Sequence, residues 1–180
     1  NFRRGTNFVA ANSWWLTNGE SNSVAVNGYW QPLKTGWLPS ISLGWGLNSL
    51  SDNEKGSDPL GVDFADPYVT ESQSWYVGLQ WDNVLWQGNS LGMAVGQPTF
   101  ATKLDRGNCT TCSDFTNDGN YALEGWYKFQ VTDNISVTPA IFYLSRPLGM
   151  LTNSVNSDGR IDRNKTFDLL GGLVQATFKF

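Results

Sequence analysis

The chain has 180 residues, a formal net charge of −4, 16% charged and 14% aromatic residues, and no His. That is room for one domain of ordinary size, without the basic excess a nucleic-acid partner demands or the charge-rich, aromatic-poor composition of a disordered chain. The missing His removes Ser-His-Asp and Cys-His nucleophiles, His zinc sites and His general bases, so neither catalysis nor a metal or cofactor site is expected.

Nothing approaches the ~18 consecutive apolar residues of a membrane helix. Mean hydropathy is −0.32, yet membrane-spanning strands also average out to mild polarity, because their lipid-facing and lumen-facing residues alternate. The sequence opens at Asn1 without a cationic, apolar leader, which marks a processed form or part of a longer chain.

Along the chain the dominant period is two. Two weaker strands, Asn7–Leu16 and Ser23–Pro32, come first. From Pro39 to Leu47 the apolar set is Ile41, Leu43, Trp45 and Leu47, with Ser42, Gly44 and Gly46 between. From Ser74 to Asp82 it is Trp75, Val77, Leu79 and Trp81. Leu91, Met93 and Val95 follow against Gly92, Ala94 and Gly96. Tyr121, Leu123, Tyr127, Phe129 and Val131 then alternate with Ala122, Glu124, Trp126, Lys128 and Gln130. A tight turn at Thr132–Asn134 leads into Ile135, Val137, Pro139, Ile141 and Tyr143, and the last strand sets Leu170, Val174, Ala176, Phe178 and Phe180 on one face. The total is eight strands.

Alternation alone does not say whether the apolar face points in or out. Strands of ~9–12 residues match a tilted bilayer crossing. Trp75, Trp81, Tyr121 and Tyr143 stand near the ends of apolar runs, where an interfacial girdle needs rings with one wet edge. No charge falls on the apolar positions. Connections alternate short and long (33–37, 50–71, 83–88, 98–118, 132–134, 146–165), the pattern of periplasmic turns and outer loops, and it puts the last strand's end in the periplasm. The fold expected is all-β, a transmembrane antiparallel barrel. Leu43, Val77, Leu123, Phe129, Ile141 and Val174 should face lipid. Gln80, Asp82, Glu124, Trp126, Lys128, Gln130 and Gln175 should line the lumen, either as a selective wall or as a hydrated one with an ordinary cross-strand ion pair. Pro139 lacks the N–H of a closed ladder and is expected at a local bulge.

Two loop features carry other chemistry. Cys109 and Cys112 form a Cys-x-x-Cys in an outer loop. A local disulfide suits an oxidising exterior, with free thiols or metal and redox use as alternatives. Residues 50–71 hold Asp52, Glu54, Asp58, Asp63, Asp66 and Glu71 against Lys55 alone, an acidic vestibule that would gather cations or simply a solvated loop.

The C-terminus, Gly171-Gly-Leu-Val-Gln-Ala-Thr-Phe-Lys-Phe180, resembles the closing strand of bacterial outer-membrane proteins. The tract from Glu124 to Pro139, continuing to Pro147, resembles the hairpin of the carbohydrate-selective porin (OprB-like) family, most similarly its cyanobacterial branch. The resemblance implies that residues 1–180 are the C-terminal portion of a barrel of about sixteen strands in a bacterial, cyanobacterial outer membrane. The other half of the barrel and a wall-binding surface-layer-homology domain would lie outside this chain. It further implies passive diffusion of small hydrophilic solutes or inorganic ions, with Phe178 and Phe180 read by the barrel-assembly machinery. Expected partners are outer-membrane lipid and lipopolysaccharide, a homotrimer, and the cell wall only through that absent domain. Ala140 and Phe142 depart from the polar lumen residues of sugar-selective members, which fits a less specific pore. A protein tethering membrane to wall and a soluble ligand-binding barrel are the alternatives.

Overall fold

The computed structural model describes residues 20–34, 36–51, 68–105, 118–149, 154–155, 161–162 and 166–180. Its strands are β1 (Glu20–Trp30), β2 (Ser40–Ser51), β3 (Tyr68–Asp82), β4 (Ser90–Asp105), β5 (Tyr121–Thr132), β6 (Ile135–Ser145), β7 (Ser154–Val155), β8 (Ile161–Asp162) and β9 (Asp168–Phe178). Seven of them form one antiparallel meander in the order β1-β2-β3-β4-β5-β6-β9, with β1 and β9 as its edges. The remaining two, β7 and β8, make a small ribbon between β6 and β9. No helix long and apolar enough to cross a membrane occurs among the described residues. The expected strand Asn7–Leu16 lies outside them.

The register turns each strand's alternation into rows. Gly28, Leu43, Val77, Val95, Leu123, Tyr143 and Leu170 are successive cross-strand partners. One step along, Asn27, Gly44, Tyr76, Gly96, Ala122, Leu144 and Leu169 form the next row, on the opposite face. A slip of one residue anywhere would mix the two faces, so the pattern and the pairing reinforce each other.

Two strands run longer than their apolar pattern. β3 begins six residues before Ser74, and β4 continues to Asp105. The extension was hidden because bulges between Val69 and Trp75 break the period-2 phase. It is held by a small core of Val69, Ala101 and Leu104 beside the fully buried Ser72. Beyond Gly96 the β4–β5 register stops. There the buried carboxylate of Asp118 accepts the Ala101 N–H at 2.8 Å, so a side chain supplies an acceptor where the neighbouring strand does not reach. Pro98 falls in this stretch of β4, without a β5 partner, as proline in a sheet requires.

Pro139 is not at a bulge. The β6–β9 register runs through it without a shift, pairing it with Val174. On the other side the β5–β6 pairing passes from Trp126↔Ala140 to Phe129↔Val137 and skips Tyr127 and Lys128. The missing N–H is absorbed by a gap in one ladder rather than by an extra residue. The bulge in this hairpin sits instead between Gln130 and Thr132, next to the Asp133-Asn134 turn.

Gly96 is the glycine that neighbouring backbone approaches most closely. A Cβ there would lie 2.5 Å from the Trp75 carbonyl oxygen and 3.0 Å from Tyr76 Cα, both backbone. Gly125 is open, its nearest neighbour being the Gly92 carbonyl at 4.0 Å. Gly96→Val should therefore cost roughly 1–3 kcal/mol through overpacking and lower the folded fraction in a heat-modifiability gel assay. Gly125→Ala should migrate like the parent.

Candidate pore wall

The two faces differ in chemistry and in curvature. Leu43, Val77, Leu123, Phe129, Ile141 and Val174 share one face and are 37–69% exposed. On the other face Ser40, Gly44, Gly78, Ser90, Gly92, Gly96, Ser136 and Ala140 are buried. Small residues crowded on one side and large apolar ones splayed on the other describe a sheet that is convex on its apolar side. A soluble barrel would instead turn that side inward and bury it.

Rings decorate the convex face, Trp45 and Trp75 midway along β2 and β3 and Tyr121 at the start of β5. Trp45 and Trp75 are cross-strand partners. The Trp75 indole donates to Gln97 Oε1 at 2.6 Å and meets Tyr121 edge-on, with ring centroids 6.4 Å apart. Tyr127 and Phe129 contact each other at 4.5 Å. The Trp75 indole and the Tyr127 hydroxyl, which donates to the Val84 carbonyl at 2.7 Å, thus keep a polar tip satisfied beside an apolar ring, as an interfacial belt requires.

All seven expected lumen residues lie on the concave face. The register sets Gln80 with Gly92, Trp126 and Ala140, and Glu124 with Ala94 and Phe142. Gln80, Asp82, Trp126 and Lys128 meet around one cleft of about 460 Å³. Within it the Gln80 amide donates to Asp82 Oδ1 at 2.9 Å. Glu124 belongs to a larger cleft of about 610 Å³ with Tyr76, Phe142 and Leu144. Gln130 is turned to the hairpin, its amide donating to the Thr132 carbonyl at 2.6 Å. Gln175 pairs with Thr138 further along β9.

Among the described residues no ion pair joins Glu124 to Lys128. Glu124 faces Ala94 and Phe142, Lys128 faces Ser90, and along β5 their backbones stand about 13 Å apart. Most of the acidic 50–71 tract, together with Cys109 and Cys112, lies outside the described residues. Glu71 is described: its carboxylate accepts the Thr102 hydroxyl at 2.8 Å and is thereby tied to the β3–β4 hairpin.

Sequence reading missed the inward rings as a set. Tyr76 pairs with Gly44, Trp126 with Gly92 and Phe142 with Gly171. In each pair a Cβ on the glycine would run into the partner's ring. The ring therefore lies down over the glycine and shows its face, rather than its edge, to the concave side. The signal, a glycine opposite an aromatic, becomes readable only once the register is known.

A curved antiparallel meander with a convex apolar face, ringed by Trp and Tyr, is the wall of a transmembrane β-barrel. The family model described as "Carbohydrate-selective porin, OprB family" matches residues 65–180, and the chain belongs to that family of outer-membrane porins. It is 26% identical over 175 residues to the uncharacterized protein alr4550 of Nostoc sp. strain PCC 7120, covering 96% of this chain and 24% of the relative. It is 30% identical over 128 residues to the uncharacterized protein sll0772 of Synechocystis sp. strain PCC 6803, covering 70% of this chain and 22% of the relative. Both relatives are cyanobacterial, and the chain spans about a quarter of the length of each. No solved structure matches.

Proposed function

We propose that this chain is the C-terminal part of a barrel of about sixteen strands that lets small hydrophilic solutes or inorganic ions diffuse through a bacterial outer membrane. The observation that carries the reading is the division of faces, apolar on the convex side and glycine-rich and polar on the concave side. A narrow eight-stranded barrel fills its interior with side chains, and the small concave residues here would fill one poorly. In this reading Gln80, Asp82, Glu124, Trp126, Lys128 and Gln175 border the water path. Ala140 pairs with Leu173 and Leu144 with Leu169 on the same face, an apolar stretch that favours a permissive pore over one built to grip sugar hydroxyls. Copies associate as trimers through the lipid-facing wall.

The test is planar-bilayer recording of the full-length protein. It should give ohmic, water-filled channels with a mild cation preference, because residues 50–71 carry six acids against one Lys. The preference should be clear in dilute salt and fade towards 1 M, where screening shortens to ~3 Å. Silence from protein shown independently to be folded would overturn the channel reading.

A further inference from the structure

The two short turns after β1 and β3 show large apolar side chains to the outside. Leu33, Trp37, Leu85 and Trp86 are 104, 85, 77 and 64% exposed. Turns of this length that face only water are ordinarily built from Gly, Pro, Asn, Asp and Ser.

The turn after β3 is a strained and heavily braced structure. Trp86 N–H donates to the Val84 carbonyl at 2.8 Å, closing a three-residue turn around Leu85 at φ +65°. A bulky residue enters that region only at a cost, and such strain persists only where its surroundings over-determine it. Here Asn83 N–H donates to the Asn89 carbonyl at 2.7 Å, and Gly88 N–H to Asn83 Oδ1 at 2.9 Å. From β5 the Tyr127 hydroxyl donates to the same Val84 carbonyl at 2.7 Å. The buried Asn89 side chain donates to that hydroxyl at 3.0 Å and accepts Gln130 N–H at 2.8 Å. What the bracing achieves is to hold Leu85 and Trp86 out.

The braces also define a side. Trp81, Leu91 and Tyr127 form one row of the convex apolar face. Tyr127 holds the second turn, and the Trp81 indole N–H donates to the Trp37 carbonyl of the first at 2.9 Å. Both turns are thus tethered by convex-face side chains, and their apolar residues continue that face past the strand ends. The first turn adds the exposed cation Lys34, suited to a phosphate headgroup.

We propose that these turns are a lipid anchor, seating Trp37, Leu85 and Trp86 at the headgroup–acyl boundary of the phospholipid leaflet on the periplasmic side. The anchor rests on the barrel reading and adds that membrane contact extends beyond the strands into preformed turns.

Spin labels test it in the full-length protein carrying Cys109→Ser and Cys112→Ser, refolded into phosphatidylethanolamine–phosphatidylglycerol vesicles. Labels are placed at Leu85→Cys, at Leu123→Cys on the convex face and at Asp133→Cys in the polar turn. Collision with oxygen should exceed collision with a water-soluble nickel chelate at 85 and 123, and the reverse should hold at 133. Tyr127→Phe removes the brace but keeps the ring, and should lower the oxygen-to-chelate ratio at 85 at least twofold while leaving 123 unchanged. A label at 85 that behaves like 133 overturns the anchor and leaves the barrel intact, provided 123 reads lipid. A label at 85 shielded from both reporters means a protein contact and also overturns it. Chelate access at 123 would bring down the barrel reading itself.

Discussion

Leu123→Arg should cost the folded barrel about 1–2 kcal/mol, between the midplane and interfacial penalties for Arg, whereas Glu124→Arg, one residue away, should leave stability nearly unchanged. Leu123 stands on the convex face between Val95 and Tyr143, 44% exposed. In the membrane that exposure is to acyl chains, which cannot solvate a guanidinium. Glu124 lies on the concave face beside Ala94 and Phe142, where water would hydrate either sign of charge. Urea unfolding of the full-length protein in phospholipid vesicles, followed by Trp fluorescence, reads the difference. The same pair separates stability from conduction, because Glu124→Arg should shift ion preference towards anions in bilayer recordings. Equal destabilisation by both substitutions would mean that the faces are not lipid and water.

Deleting Phe180 should reduce outer-membrane yield in cells far more than it weakens barrel refolded in detergent. Phe178 closes β9 opposite Ile135. Past it the Lys179 N–H still donates to the Asn134 carbonyl at 2.9 Å, but the Phe180 side chain is fully exposed and makes no contribution to the ladder. Losing one such ring should cost roughly 1–3 kcal/mol at most, which a large closed barrel tolerates. The expectation rests on the proposed reading, in which the exposed Phe180 ring is the mark that the assembly machinery reads. Equal yields of deletion and parent in purified outer membranes would show that this residue is not an assembly signal.

The strands and the division of each into two faces were legible because period-2 alternation is local, whereas the choice of the outward face had to be argued from strand length, rings and loop lengths. Val77, Leu123 and Ile141 share a face with nothing but their own spacing to announce it. The early part of β3 was not legible, since bulges shift the phase between Val69 and Trp75. Pro139 invited a bulge by rule, yet the gap opposite Tyr127 and Lys128 depends on pairing that one strand cannot reveal. Among the wall residues, the charged and amide groups and Trp126 stood out, Phe142 was noticed only as a departure from a polar position, and Tyr76 was passed over, because an inward ring looks like any other aromatic until its opposite glycine is known. Leu85 and Trp86 read simply as part of a short connection. Their meaning depends on a Tyr127 hydroxyl from another strand.

The reclining rings have a consequence for the bore of the proposed pore. Its calibre at Tyr76, Trp126 and Phe142 is set by the hollows at Gly44, Gly92 and Gly171 as much as by the aromatics themselves. Fill a hollow with one methyl group and the ring above must tilt up into the water path like a raised shutter. Related channels could thus be re-gauged by exchanging a glycine for an alanine, with every aromatic left in place and the outer surface untouched.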